Sequence, residues 1–152
     1  MLLFRNPAAL EVLLAHPGGP YWAKKDLGAW SIPKGECESG EGLRKCALRE
    51  LGEELGEEVP ALRGDQLIEL GSVRQKGGKL VHAWGAEGDF DPATLSSNAF
   101  EMEWPPHSGA KREFPEVDRV EWLTLAEACR KILPAQAVFV DRLVEVLGQR
   151  PR

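Results

Sequence analysis

GECESGEGLRKCALRELGEELGE, running from Gly35 to Glu57, is the stretch from which the rest of the chain can be read. Leu48, Leu51 and Leu55 recur at helical spacing, so its C-terminal half is predicted to be a helix with one apolar face. Glu50, Glu53, Glu54 and Glu57 stand at i, i+3, i+4 and i+7. At about 100° per residue they make a second stripe beside the leucines. One side of the helix suits a core, and another is crowded with carboxylates. The crowding is costly: like charges at i,i+4 destabilise a helix by about 0.2–0.5 kcal/mol per pair. Negative charge near a helix C-terminus opposes the macrodipole by about 0.3–1 kcal/mol. A hard divalent cation would remove both costs, and Mg²⁺ suits a few carboxylates combined with substrate phosphates. A solvated acidic face is the alternative that the stripe alone leaves open.

Spacing narrows the choice. The stretch satisfies G-x5-E-x7-R-E-U-x-E-E-x-G at every fixed position, through Gly35, Glu41, Arg49, Glu50, Leu51, Glu53, Glu54 and Gly56. It resembles the Nudix box, the signature of the Nudix hydrolase family. In one respect it departs: the box usually ends on an aliphatic residue, and Glu57 stands there. The preceding Trp30-Ser31-Ile32-Pro33-Lys34-Gly35 resembles the Pro-Lys-Gly entry of many Nudix hydrolases, including those acting on dinucleoside polyphosphates. The runs HPGGPYWAKKDLGAWSIPKGE and FEMEWPP…FPEVDRVEW resemble a bacterial branch of predicted nucleoside triphosphate pyrophosphohydrolases.

The resemblance implies a single Nudix domain over residues 1–152, an α/β/α sandwich with a mixed sheet between helices. It implies hydrolysis of a phosphoanhydride, by water, in a nucleoside di- or triphosphate-type or dinucleoside polyphosphate substrate. Glu50, Glu53 and Glu54 would bind Mg²⁺, with Mn²⁺ as a substitute, and one of them would act as base, with Glu53 counted among the catalytic residues. Arg49 would orient the glutamates, and Lys34 would neutralise phosphate charge. Glu116 stands before a strand as a loop acid does in several Nudix enzymes, where it binds metal or activates water. Glu113 and Glu103 compete for that role.

Composition is that of an ordinary soluble globular protein. The chain has 152 residues, enough for one sizeable core, and 28% charged residues. The formal net charge of −5 argues against a broad nucleic-acid surface, so phosphate binding must be local. No apolar run approaches membrane-spanning length, and no signal peptide is visible. Cys37, Cys46 and Cys129 are odd in number and lack a paired spacing, so free thiols in a reducing cytoplasm and no disulfide are expected. The expected partner is a small nucleotide, with a homodimer left open. His16, His82 and His107 are scattered and show no zinc pattern.

The remaining chain is predicted in order. Met1–Phe4 and Leu10–Ala15 read as strands around an Asn6-Pro7 turn. The family usually has a few more residues before this point, so the first strand is shortened here or the native start lies upstream. His16–Pro20 must be a loop. It carries Tyr21, Trp22, Lys24 and Lys25, a group able to stack a base and hold a phosphate, or equally to pack the loop with its lysines solvated. Ala29–Pro33 reads as a strand with Trp30 and Ile32 on one face. Glu41 is near the helix start, where the dipole favours a carboxylate, so capping alone could account for it, and Cys46 is expected as a packed thiol. Val59-Pro60 would end the helix region.

Leu67–Gln75 and Lys79–Gly85 read as a hairpin turning near Gly77-Gly78, with Trp84 in the core. Ala99–Trp104 is a strand candidate, residues 105–118 a loop, and Arg119–Leu123 a strand. Thr124-Leu125-Ala126-Glu127 is a capping box opening a helix to about Ile132. Beyond Pro134, the stripe of Phe139, Val140, Leu143, Val144 and Leu147 predicts a last, structural helix.

Substrate choice is less determined. Relatives acting on dinucleoside polyphosphates often carry a downstream tyrosine, whereas the one tyrosine here is Tyr21; Trp84, Phe100 or Trp104 could substitute. Relatives acting on ADP-ribose often have a proline about where Val73 stands. A non-catalytic nucleotide-binding sensor is the competing class. Such domains commonly lose box glutamates, and this chain keeps them. A third class, an acidic helix for a protein partner, predicts neither Mg²⁺ affinity nor turnover.

Overall fold

The computed structural model describes residues 1–56 and 66–148. Glu57, Val59 and Pro60 lie outside them. Strands β1 (Leu2–Arg5), β2 (Glu11–Pro17), β3 (Ile68–Arg74), β4 (Leu80–Glu87) and β7 (Val117–Thr124) form a five-stranded sheet in the order β3-β4-β1-β2-β7. The β1–β4 pair is parallel and the other pairs are antiparallel. Alternation along the central strands divides the core. Leu2, Phe4, Val12 and Leu14 enter one apolar cluster, and Leu3, Leu13 and Ala15 the other. Because side chains alternate across a strand, a sheet buried on both faces needs apolar residues at both parities, and β1 and β2 provide them.

Each face is covered by helices. Helix α1 (Leu43–Leu55) contributes Leu51 and Leu55, both fully buried, to one cluster, with Leu48 packed beside them. Helices α2 (Leu125–Lys131) and α3 (Ala137–Gly148) contribute Ala128, Phe139, Val140 and Leu143 to the other. The chain is thus the expected α/β/α sandwich. Val144 departs from the predicted stripe and is 40% exposed.

Two local expectations are corrected. Ala29–Pro33 is no strand of the sheet: it makes isolated bridges, Ser31 to Ala15 and Trp30 to Ile132. Those bridges' backbone bonds, Ser31 with Ala15 and Trp30 with Lys131 and Leu133, hold the segment, and a side chain adds to them. Gln136, fully buried, accepts from Ile32 N at 3.0 Å and from Ser31 Oγ at 3.3 Å, and donates to Gln75 Oε1 at 2.7 Å. The second correction lies between residues 105 and 118. Strand β6 (Lys111–Pro115) pairs with β5 (Ala99–Glu103) as a separate two-stranded hairpin, where a loop was predicted. Tyr21 packs edge-on against Trp104, with ring centroids 5.3 Å apart, and so joins the hairpin to the loop after β2.

Candidate active site

The site is assembled on the solvent side of α1 by the segment entering it. Gly42, extended in backbone, is the N-cap of the helix and makes no side-chain cap bond. Glu41 is not the cap expected from its position, because Arg49 takes its carboxylate. Arg49 Nε and Nη2 donate to the two Glu41 oxygens, each at 2.8 Å. This two-pronged bond, followed by the Glu38 N–H, pulls Glu41 down to about 2. The same guanidinium donates from Nη1 to Glu50 Oε1 at 2.8 Å and to Glu53 Oε1 at 3.1 Å, and from Nη2 to the Glu36 carbonyl at 3.1 Å. One arginine therefore ties the loop, through Glu36 and Glu41, to two helix carboxylates. The predicted Arg49–Glu53 pair is present, as part of a larger junction.

Gly35 has a steric reason to be glycine. A Cβ there would overlap the Glu50 carboxylate, so the loop backbone lies directly on that side chain. The next residue back is fixed as well: Lys34 N donates to Glu54 Oε2 at 3.2 Å. Burial pushes Glu54 up to about 7, against the Lys34 N–H and the charges of Lys34 and the Met1 amino group. Burial also raises Glu50, opposed by the Arg49 bond and reinforced by the charges of Glu53 and Glu116. Burial lowers Lys34, and the charge of nearby Lys79 lowers it further.

Two hollows flank Lys34. One, of about 240 Å³, is lined by Trp22, Ser31, Lys34, Glu54 and Glu116. The other, of about 360 Å³, is lined by Lys34, Glu50, Lys79, His82 and Trp84. Of the three acids that competed for the loop position, Glu116 is the one in the cleft. Its N–H bonds the Asn98 carbonyl at 2.8 Å and its own carbonyl accepts from Gly18 N at 2.9 Å, which fixes it at the junction of β6 and β7. Glu103 is turned to Gly109 N, and Glu113 lies opposite Glu101 on the exposed hairpin. Trp22 reaches the cleft and is 37% exposed. Lys25 lies over the Trp22 ring at 4.8 Å, and neither it nor Lys24 lines either hollow.

The donor set fits a hard divalent cation. Glu50, Glu53, Glu54 and Glu116 are oxygen donors; the charges of Glu53 and Glu116 help to raise Glu50 and that of Glu116 helps to raise Glu54, and a cation relieves that repulsion. Among the described residues, the set of three potential ligands lying within 4.8 Å of one another is Cys37, Glu41 and Cys46. It offers no free donor, since Arg49 holds Glu41 and the cysteines are bonded to each other. That Cys37–Cys46 disulfide, with a Cα–Cα distance of 5.4 Å, corrects the expectation of three free thiols. The box loop folds back onto the first turn of α1 and brings the two sulfurs together; Cys129 is free and exposed. Lys79 and Gln136 were not anticipated. Lys79 is brought in by hairpin pairing and Gln136 by burial across 104 residues of chain, and neither stands near the box in sequence.

Comparison with known proteins identifies the fold and the family. In fold the chain resembles a Caenorhabditis elegans Ap4A hydrolase in a binary complex, at TM-score 0.61 and 22% identity, covering 98% of this chain and 95% of that one. It also resembles the NUDIX domain of Shewanella oneidensis NrtR complexed with ADP ribose, at TM-score 0.60 and 20% identity, covering 96% and 84%. A MutT protein from Methanosarcina mazei Go1 matches at TM-score 0.58 and 19% identity, covering 98% and 91%. No curated protein sequence matches the chain. The family described as NUDIX domain matches residues 1–143, nearly the whole length, so the chain belongs to the NUDIX domain family and is a Nudix hydrolase, an enzyme acting on acid anhydrides.

Proposed function

We propose that the protein hydrolyses a phosphoanhydride bond in a nucleoside triphosphate or dinucleoside polyphosphate, with Mg²⁺ as its cofactor and Mn²⁺ as a substitute. The observation that carries this reading is the placement of Glu50, Glu54 and Glu116 on two hollows that share Lys34. Carboxylates alone would repel a polyphosphate. Beside a half-buried lysine, and able to hold a cation, they become a phosphate site.

Glu50, Glu53 and Glu54 would hold the ion, with Glu116 across the cleft. When bound, the ion supplies Lewis acidity at the phosphates and lowers the pKa of a water molecule. The chain's own residues do the rest. Arg49 fixes the Glu50 and Glu53 rotamers, Lys34 neutralises a phosphate oxygen, and Trp22 offers a face to a base. Glu53, 44% exposed in its side chain and anchored on one oxygen by Arg49, takes the proton of the attacking water. The P–O anhydride bond breaks, and the leaving phosphate carries away its electron pair. Retention of all the box carboxylates favours this over a non-catalytic sensor.

The activity belongs in the cytoplasm, where free nucleotides are; a Cys37–Cys46 bond there would be transient. No helix among the described residues is long and apolar enough to cross a membrane. The test is incubation with Mg²⁺ and a panel of nucleoside triphosphates, dinucleoside polyphosphates and ADP-ribose, with products resolved by chromatography. Cleavage by wild type that is absent in Glu53→Gln supports the reading. A panel left intact, with nucleotide bound, overturns it in favour of the sensor.

A further inference from the structure

The box loop must lay the Gly35 backbone on the Glu50 carboxylate, and the Glu36 carbonyl and Glu41 carboxylate on Arg49. Yet no residue from Gly35 to Gly42 is buried, so no core contact holds the loop there. Its backbone gives little help. Glu41 N bonds the Glu38 carbonyl at 3.0 Å inside the loop, and the Gly42 carbonyl accepts from Cys46 N at 2.9 Å where the helix begins. The Lys79–Glu36 ion pair, at 3.1 Å, joins two exposed side chains and adds little. Among the described residues, two stronger fastenings remain. One is the Arg49 guanidinium. The other is the Cys37–Cys46 disulfide, which spans a sequence separation of 9 and ties the loop to the first turn of α1.

The sulfur fastening is the one that redox chemistry can open. Cys37 is exposed and Cys46 is buried. A thiolate of a dithiol reductant therefore attacks the Cys37 sulfur. A mixed disulfide forms there, the Cys37–Cys46 bond breaks, and Cys46 leaves with the electron pair and takes a proton; the reductant's second thiol then frees Cys37. Hydrogen peroxide reverses this. It oxidises the Cys37 thiol to a sulfenic acid with release of one water, and the Cys46 thiol displaces the second water as the disulfide re-forms. Two electrons pass from the sulfur pair to the peroxide. The fold survives either state, because Leu51 and Leu55 hold α1 on the sheet. We propose that Cys37–Cys46 is a reversible redox site that sets the affinity of the box for a divalent cation. Closed, the bond keeps the loop against Arg49, and Arg49 orients Glu50 and Glu53. Open, the loop leaves the guanidinium and the two carboxylates lose their orientation. Exposed disulfides are the labile, regulatory ones. The proposal rests on the reading of Glu50, Glu53 and Glu54 as the cation site.

Three measurements on the full chain test it. Alkylation under denaturing conditions, read by mass, should label Cys129 alone after stoichiometric hydrogen peroxide and all three cysteines after dithiothreitol; three labels in both states overturn the proposal. Calorimetric titration with Mn²⁺, without nucleotide, follows reduction and desalting under nitrogen. The Kd rises about tenfold on reduction, the lower end of what loss of an orienting partner costs, and returns on reoxidation. Cys37→Ser, a change at an exposed residue, stands at the reduced value under both conditions. An equal Kd in oxidised and reduced wild type overturns the proposal, and so does a reductant effect that persists in Cys37→Ser. Amide hydrogen exchange of metal-free protein separates loop release from unfolding. Residues 36–42 exchange faster after reduction while Leu51 and Leu55 do not; faster exchange along the whole helix would make the bond structural and end the proposal. The hydrolase reading fails separately. Redox-dependent Mn²⁺ binding without cleavage of any nucleotide removes the hydrolase and keeps the redox site. Cleavage with a Kd indifferent to reduction does the reverse.

Discussion

Helices α1 and α2 lie on opposite faces of one sheet, and the sequence treats them in opposite ways. Helix α2 follows the rules of helix stability. Thr124 caps it, accepting from Glu127 N at 3.3 Å, Glu127 sits in its first turn, and Arg130 and Lys131 close its last. Each charge complements the dipole. Helix α1 violates the same rules. It has no side-chain cap, no acid in its first turn and no base in its last, and it ends on Glu53 and Glu54. A sequence that specifies one structure normally agrees with itself at every level, and the places where it does not are the places under another demand. The contrast teaches where to look: α2 is built to hold the sheet, and α1 spends stability to hold charge.

The largest effect that can break this comparison is on the rate. If the carboxylates of α1 serve chemistry, Glu53→Gln lowers kcat about 10²–10⁴-fold, the usual contribution of a general base. Its side chain is 44% exposed and its charge opposes the dipole, so thermal unfolding stays in place or rises. Full activity with lowered stability would mean that the α1 carboxylates are structural after all, and the contrast would vanish. Next comes pH. The carboxyl of Glu54 is raised from 4.5 to about 7 by burial. The unfolded chain therefore ionises it more readily than the folded one. The folded state carries no penalty below pH 4.5, loses stability as pH rises to about 7, and stays penalised above. At about 1.4 kcal/mol per unit the loss is on the order of a few kcal/mol. Urea titrations of metal-free protein across that range check it, with Glu54→Gln flattening the profile. A rise in stability over the same window would reverse the argument.

Arg49→Lys is the third test. A lysine keeps the charge and loses the fork that binds both Glu41 oxygens while reaching Glu50 and Glu53. Residues that orient ligands typically cost about 10–100-fold in activity or metal affinity when changed. The Mg²⁺ concentration giving half-maximal rate is the readout that separates orientation from mere folding; a rise by that factor is expected.

The same contrast explains which parts of the molecule were legible in the sequence. Elements that bury a face announce themselves: the Leu48–Leu55 stripe, the Phe139–Leu147 stripe apart from Val144, the Thr124–Glu127 capping box and the Gly77-Gly78 hairpin stand where their patterns place them. Strand β6 carries Lys111, Arg112 and Glu113 and has only Phe114 to pack, so no alternation marks it. The segment 29–33 has the apolar pattern of a strand, yet it makes only isolated bridges, to Ala15 and to the Lys131–Leu133 stretch, with Gln136 from the far end of the chain bonding Ile32 N. The box glutamates could be named from spacing, because a motif is local. The choice of Glu116 over Glu113 and Glu103, the arrival of Lys79 and the meeting of Cys37 with Cys46 depend on how separate segments pair, and local sequence does not encode that directly.

The smallest effect falls on the other helix. Thr124→Ala removes the acceptor for Glu127 N and so one of the few partners available to the first turn of α2. Loss of such a cap costs about 1 kcal/mol. For a domain of this size a change of that magnitude moves the unfolding midpoint by a few degrees, about 2–4 °C. Thr124 faces neither hollow, so kcat and KM should stay as in wild type. Paired with Glu53→Gln, this variant completes a crossed design: one change removes rate and spares stability, the other removes stability and spares rate. Were Thr124→Ala to depress kcat without a change in melting, α2 would be coupled to the site. The route on hand is the Ile132–Trp30 bridge and the Trp30–Lys34 segment it supports, and the division of labour between the two faces would then have to be redrawn along it.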